Sequence, residues 1–184
     1  MPESREPLRL AGHSLNEIAQ LVGERRLPPV HSWNPQHCGH SNMRIARDGT
    51  WYHHGSPIRR EALVRLFSTI LRREPDGSHV LVTPAEKLTI EVELAPFVVT
   101  AMSSEGEGRG RQVGFELNSA DPVVLSPEHP LRLDGDLPLL TVRDGLEASF
   151  SRPVYYELAE LALSEGADPP GVWSRGAFFP LQPA

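Results

Sequence analysis

The chain has 184 residues, 39% apolar and 23% charged, which is enough for one large domain or two small lobes around a packed core and argues against general disorder. Its single cysteine, Cys38, excludes an internal disulfide framework. No run is long and apolar enough to span a bilayer, and the first six residues lack the regions of a secretion signal, so the expectation is a cytoplasmic protein with no membrane partner.

The net charge of −6 is unevenly placed. Residues 42–73 carry seven Arg against Asp48 and Glu61, a net of +5, whereas residues 74–184 carry seven basic and eighteen acidic groups, a net of −11. A basic segment raises nucleic acid as a partner. Here the acidic half lies in the same chain, and compensation within the molecule is the simpler expectation.

In chain order, Ser14-Leu15-Asn16-Glu17 is a capping box that predicts a short helix ending at Gly23. Residues 27–35, rich in proline, predict an extended connector lying across the surface with Trp33 tucked in. His37, Cys38 and His40, with His31, His53 and His54 nearby, raise zinc, but no second cysteine is present, and no metal is expected.

The segment 44–73 reads as a hairpin feeding a helix. Arg47-Asp48-Gly49 supplies the turn, and Thr50 to His53 has strand character. Ser56 and Pro57 suit the start of a helix, and Ile58, Ala62, Leu63, Leu66, Phe67, Ile70 and Leu71 recur at helical spacing. The spacing predicts one helix over 58–71, apolar around more than half its circumference and hence central.

Beyond it, strands are predicted at 80–82, 88–94, 97–102, 113–117 and 137–142, with two short ones punctuated by Pro122 and Pro130. The glycine-rich 105–111 has no following helix and no Lys-Ser/Thr pair, so it is a hairpin tip and not a phosphate loop. Arg143-Asp144-Gly145 repeats Arg47-Asp48-Gly49 at an offset of 96, and Pro57 and Glu61 recur as Pro153 and Glu157. This offset predicts two hairpin–helix units, at 42–73 and 138–165, in an α+β fold of two lobes covering 14–84 and 85–184. A second helix ends near Gly166, and the apolar 172–180 docks against the rest.

Several stretches together resemble the bacterial DUF1285 family. They are Cys38-Gly39, residues 43–51, 55–58, 63–68 and 71–74, then 81–87, 95–97 and 171–174. The resemblance implies a two-lobed α+β fold with repeated motifs, a binding role in signal transduction, and no catalytic residues to carry over. Acidic residues often follow Cys-Gly in the family, where this chain has His40-Ser41-Asn42, so the resemblance does not make His40 a shared ligand.

No catalytic or cofactor signature is present. The first expectation is a non-enzymatic binding or regulatory module for a small anionic or polar ligand between the lobes. Its candidate site is Arg44, Arg47, Trp51, His53, Arg59 and Arg60, gathered around a helix start, where free N–H groups favour anions and arginine offers a bidentate fork. The alternative for these arginines is ion pairing with the acidic half. The rival functions are a hydrolase using Cys38 or a His cluster, and a protein-interaction module using the connector or the C-terminal segment.

Overall fold

The structure is a computed structural model that describes residues 9–10, 13–14 and 27–183. The helix expected after Ser14 lies outside the described residues. Strands β1 (Arg9–Leu10) and β2 (His13–Ser14) form a small antiparallel ladder. The remainder is mostly β, built on two six-stranded sheets, which overturns the α+β expectation. The chain divides into two compact units, one of residues 1–45 and 50–92, the other of 46–49 and 93–184.

In the first unit, β3 (His37–Ile45), β4 (Trp51–His53) and β5 (Ser56–Pro57) form an antiparallel meander. Helix α1 (Glu61–Thr69) follows, and β6 (Leu71–Arg73), β7 (His79–Val82) and β8 (Glu86–Val92) form a second meander that brings β8 parallel to β3. The strand order is β5-β4-β3-β8-β7-β6. His54 and Gly55, at φ +48° and +78°, make the two-residue link of β4 to β5. The Asp76 carboxylate accepts from the Ser78 N–H (2.9 Å) and hydroxyl (2.6 Å) to close the β6–β7 turn, and these bonds hold its pKa below the ordinary value.

The predicted helix over 58–71 forms only at 61–69, and the sheet is the reason. Tyr52 and His53 pair with Pro57 and Ser56, and the Ile58 N–H donates to the Trp51 carbonyl at 2.8 Å, so these residues extend the hairpin. Pro57 is tolerated there because β5 is an edge strand. At the other end Leu71 pairs with Leu81 in β6. The helix is not surrounded. Ala62 is exposed, Leu63, Val64 and Phe67 are half-buried, and Leu66 is the apolar residue it buries. Trp51 pairs with Ile45 and stacks on Phe67 with ring centroids 6.3 Å apart.

The proline-rich connector lies against this unit as expected. Arg72 Nη1 donates to the carbonyls of Val30 (2.8 Å) and Trp33 (2.7 Å), while its Nε donates to Glu74 Oε1 (2.6 Å). Val30 is buried and Trp33 half-buried.

The second unit repeats the strand plan without the same helix. β9 (Phe97–Glu105), β10 (Gln112–Leu117) and β11 (Pro122–Val124) meander outward. Residues 125–130 cross over, and β12 (Leu131–Asp134), β13 (Leu137–Arg143) and β14 (Leu146–Phe150) return, with β14 parallel to β9. Helix α2 (Arg152–Ser164) then packs on β9 and on the hairpin of β15 (Gly171–Ser174) and β16 (Ala177–Pro180), burying Val154, Leu158 and Ala162. Ser174 is fully buried. Its hydroxyl donates to the Leu125 carbonyl (2.6 Å) and accepts the Val113 N–H (3.0 Å), so the C-terminal hairpin is docked.

The offset of 96 is therefore not a structural repeat. Arg47-Asp48-Gly49 leads from β3 outward to β4, whereas Arg143-Asp144-Gly145 leads from β13 inward to β14, the strand beside β9. The two helices also occupy different places, α1 in the crossover of its sheet and α2 after the last strand of the second sheet. What the units share is six strands in one topology. β3 and β9 begin at 37 and 97, β6 and β12 at 71 and 131, and β8 and β14 at 86 and 146.

Two outcomes test this packing. Leu66→Ala should cost about 2–5 kcal/mol in chemical denaturation, while Glu61→Ala on the exposed side stays within about 0.5 kcal/mol. Gly49 has φ +89°, and a Cβ there would sit 2.8 Å from Val98 and 2.9 Å from Asn118. Gly55 has φ +78° and open space around it. Both alanine variants carry the left-handed cost of about 1–2 kcal/mol, and Gly49→Ala should lose clearly more.

Candidate functional site

The six residues singled out from the sequence do not form one constellation. Arg44 and Tyr52 are cross-strand partners on the outer face of the first sheet, where the guanidinium lies over the Tyr52 ring at 4.4 Å. Trp51 is only 2% exposed and faces the other way, into the core of the unit. His53 shares that side of β4 at its exposed end, 4.3 Å from the His54 ring. Arg47 is exposed in the β3–β4 turn and belongs to the second unit, where its N–H donates to Glu93 Oε2 at 2.9 Å. Arg59 and Arg60 are exposed, and Arg60 is the N-cap residue of α1, with no side-chain cap.

At offset 96, Trp51 aligns with Glu147, His53 with Ser149, and Arg59 and Arg60 with Tyr155 and Tyr156. Glu147 and Ser149, opposite Trp51 and His53 in that alignment, lie on β14 and are buried. Arg132 holds Glu147 through two bonds, Nε to Oε1 at 2.7 Å and Nη2 to Oε2 at 3.0 Å, and this pairing raises the guanidinium pKa. At Glu147 and Ser149 the difference follows from a buried inner strand, with no functional contrast required.

A polar cluster does form beside Arg44. His40 pairs with Thr89 and Arg44 with Glu91, so β3 spends two more residues than β8 over the same interval. The surplus is a bulge at 41–43, with Asn42 at φ +56°. The Ser41 hydroxyl donates to the Thr89 carbonyl (2.7 Å) and accepts the Met43 N–H (3.1 Å), while His40 Nδ1 and Thr89 Oγ1 are 2.6 Å apart. Cys38 is exposed, as is His37, whose Nε2 is 3.9 Å from Glu86 Oε2. Among the described residues, no group of three or more His, Cys, Asp or Glu is placed to hold a metal ion.

The second sheet carries a groove with a volume of about 370 Å³. Its geometry follows from register. Ala101, Glu116 and Pro122 are mutual partners across β9, β10 and β11; Ser103, Gly114 and Val124 form the next row on the same face; Glu105 and Gln112 form the third. Rows two residues apart lie roughly 7 Å apart, so the outer rows stand roughly 13 Å from one another. The middle row is low because Gly114 has no side chain at its centre. Opposite faces of the same strands bury Val113, Phe115, Leu117 and Val123.

Apolar surface from Ala101, Val124 and Pro122 thus lies beside polar groups from Ser103, Glu105, Gln112 and Glu116. None of those four polar side chains has a hydrogen-bond or ion-pair partner among the described residues. The groove was not anticipated from the sequence. Its one legible signal is a glycine between Val113 and Phe115 in an otherwise alternating strand, which marks close approach to backbone.

Two family models match the chain. Residues 28–95 match the N-terminal domain of DUF1285, described as a domain of unknown function, and residues 96–181 match the DUF1285 C-terminal domain, described as a protein of unknown function. The chain belongs to the DUF1285 family. A crystal structure of a DUF1285 family protein from Silicibacter pomeroyi DSS-3 is similar, with 42% identity, a TM-score of 0.79, and coverage of 88% of this chain and 93% of that one. A DUF1285 family protein from Shewanella baltica OS155 shares the fold at 21% identity and a TM-score of 0.53, over 64% of this chain and 90% of that one. No curated protein matches the chain. The boundary between the two DUF1285 domains, at 95/96, falls close to the end of β8 at Val92.

A chelator should leave the melting temperature unchanged. Removing a folding-linked zinc would lower it strongly, and stoichiometric zinc by elemental analysis would show the opposite of what the donor geometry leads one to expect.

Proposed function

We propose that this DUF1285 protein is a non-enzymatic binding module, possessing in its second unit a site for a small polar ligand with a cationic head and an apolar body. One observation carries this reading, the groove over Gly114 with carboxylates on both flanks that have no partner among the described residues. Its volume lies in the range of small-molecule sites, and its mix of apolar surface with a few polar groups matches their usual composition. Glu116 stands on one flank and Glu105 on the other, so an amine or other donor-rich head finds an acceptor at either end. The surrounding sequence is acidic, with a net of −11 over 74–184, and draws cations toward it. A regulatory role follows for such a module where binding changes its partners.

The test is a two-dimensional NMR titration with a panel of aliphatic and aromatic primary amines, using the matching carboxylates as controls. An amine should shift the backbone signals of Ser103 and Gly114. The Glu105→Gln/Glu116→Gln double variant should weaken that binding at least tenfold, and Gly114→Val should block it while the fold stays intact. If only carboxylates bind, with protection lost on Arg59→Ala, the ligand sits at the arginine segment and the groove loses its role. If no amine perturbs these signals, the proposal fails.

A further inference from the structure

Helix α2 is apolar on the side that faces away from its own core. At roughly 100° per residue, Val154, Leu158 and Ala162 define the buried face. Arg152, Tyr156, Ala159 and Leu163 line up as a stripe roughly 130° from it, with Ala159 half-buried at the edge nearer the core and Glu160 alongside the exposed edge. Tyr156 is 58% exposed and Leu163 68%, the highest values for large apolar side chains among the described residues, and Tyr155 borders them at 36%. Scattered apolar residues on a surface need no explanation. An i, i+3, i+7 stripe on a helix side well away from its buried face is the pattern of a helix that packs on two sides.

We infer that this stripe is an interface between two copies of the chain, paired through α2 in antiparallel fashion about a twofold axis. Charge selects the occupant and the orientation. The stripe is positive at its start, at Arg152, and is bordered by negative charge further along, at Glu160. A parallel pair would set Arg152 against Arg152 and Glu160 against Glu160. An antiparallel pair brings Arg152 of each copy toward Glu160 of the other and opposes the two helix dipoles favourably. Centred between Tyr156 and Ala159, it places each Tyr156 ring over the small Ala159 of the second copy, beside Leu163. The small residue permits the close approach that ridge-and-groove packing requires. Thirteen residues span about 20 Å, so the contact is at the small end for a dimer and should be concentration-dependent.

Sedimentation velocity over a range from about 1 μM to 1 mM, bracketing the affinities expected of so small a contact, tests this. The weight-average mass of the full chain should rise toward that of a dimer. Leu163→Glu should weaken association at least tenfold, as should Arg152→Glu, while circular dichroism and the melting temperature at low concentration stay at parent values. Arg152→Glu/Glu160→Arg restores opposite charges across an antiparallel pair and should recover association. A parent that remains monomeric at the highest concentration overturns the inference. So does association that Leu163→Glu leaves intact, since it then uses another surface. Failure of the double charge reversal to recover association removes the antiparallel assignment that selects a second copy. None of these readouts involves the groove over Gly114, so the outcome is independent of the ligand titration.

Discussion

In each unit the first and last strands of the sheet lie side by side and parallel, β3 with β8 and β9 with β14. Parallel neighbours cannot be joined by a tight turn, so the chain between them must leave one edge of the sheet and return at the other. In the first unit α1 makes that passage, and in the second residues 125–130 do. Each sheet consequently consists of two antiparallel meanders and ends in short strands. Two of these, β5 and β11, contain Pro57 and Pro122, and proline offers no N–H to a further strand. The inner strand β14 is buried over Leu146, Glu147, Ala148 and Ser149, on both faces. A carboxylate in that position is tolerable because Arg132 meets it with two parallel bonds.

Turns and alternating strands were legible in the sequence because their causes are local. Asp-Gly at 48–49 and 144–145 does make turns, and the alternation of Val113, Phe115 and Leu117 does bury one face of β10. The helix at 58–71 misled because helical and strand burial coincide there. Ile70 and Leu71 are buried and Ile58 half-buried as parts of a helix end, a strand and a hairpin, yet their spacing also fits one helix. The offset of 96 misled for a related reason. It aligned two Asp-Gly turns, and a turn carries no information about which neighbour its strands find. The topology shared by the sheets leaves no comparable mark, because it resides in pairing between distant strands.

The candidate site was less legible than the fold. Gathering by sequence placed Arg44 and Trp51 together, although the period of a strand sends residue 45 and its partner Trp51 to one face and Arg44 with Tyr52 to the other. The groove, by contrast, is assembled from three strands and becomes visible only once their register is known. Gly114 lowers the floor, while the residues that give it chemistry come from positions 101–105, 112–116 and 122–124.

Charge distribution reverses the emphasis that composition suggests. Among the seven arginines of 42–73, Arg72 holds the connector and Glu74 through three hydrogen bonds, and Arg44 lies on Tyr52. Two of those seven charges thus serve the first unit itself. In the acidic half, Glu147 and Glu165 are matched by Arg132 and Arg111, the latter at 2.8 Å. The carboxylates of Glu105 and Glu116 have no such match among the described residues, and they flank a concave surface. A surface carboxylate without a partner costs little in water and contributes little to folding. Two of them on either side of a glycine floor gain their value only when a third party with complementary charge lies between them. On the proposed reading, the ligand site therefore lies in the acidic sheet and not in the basic segment.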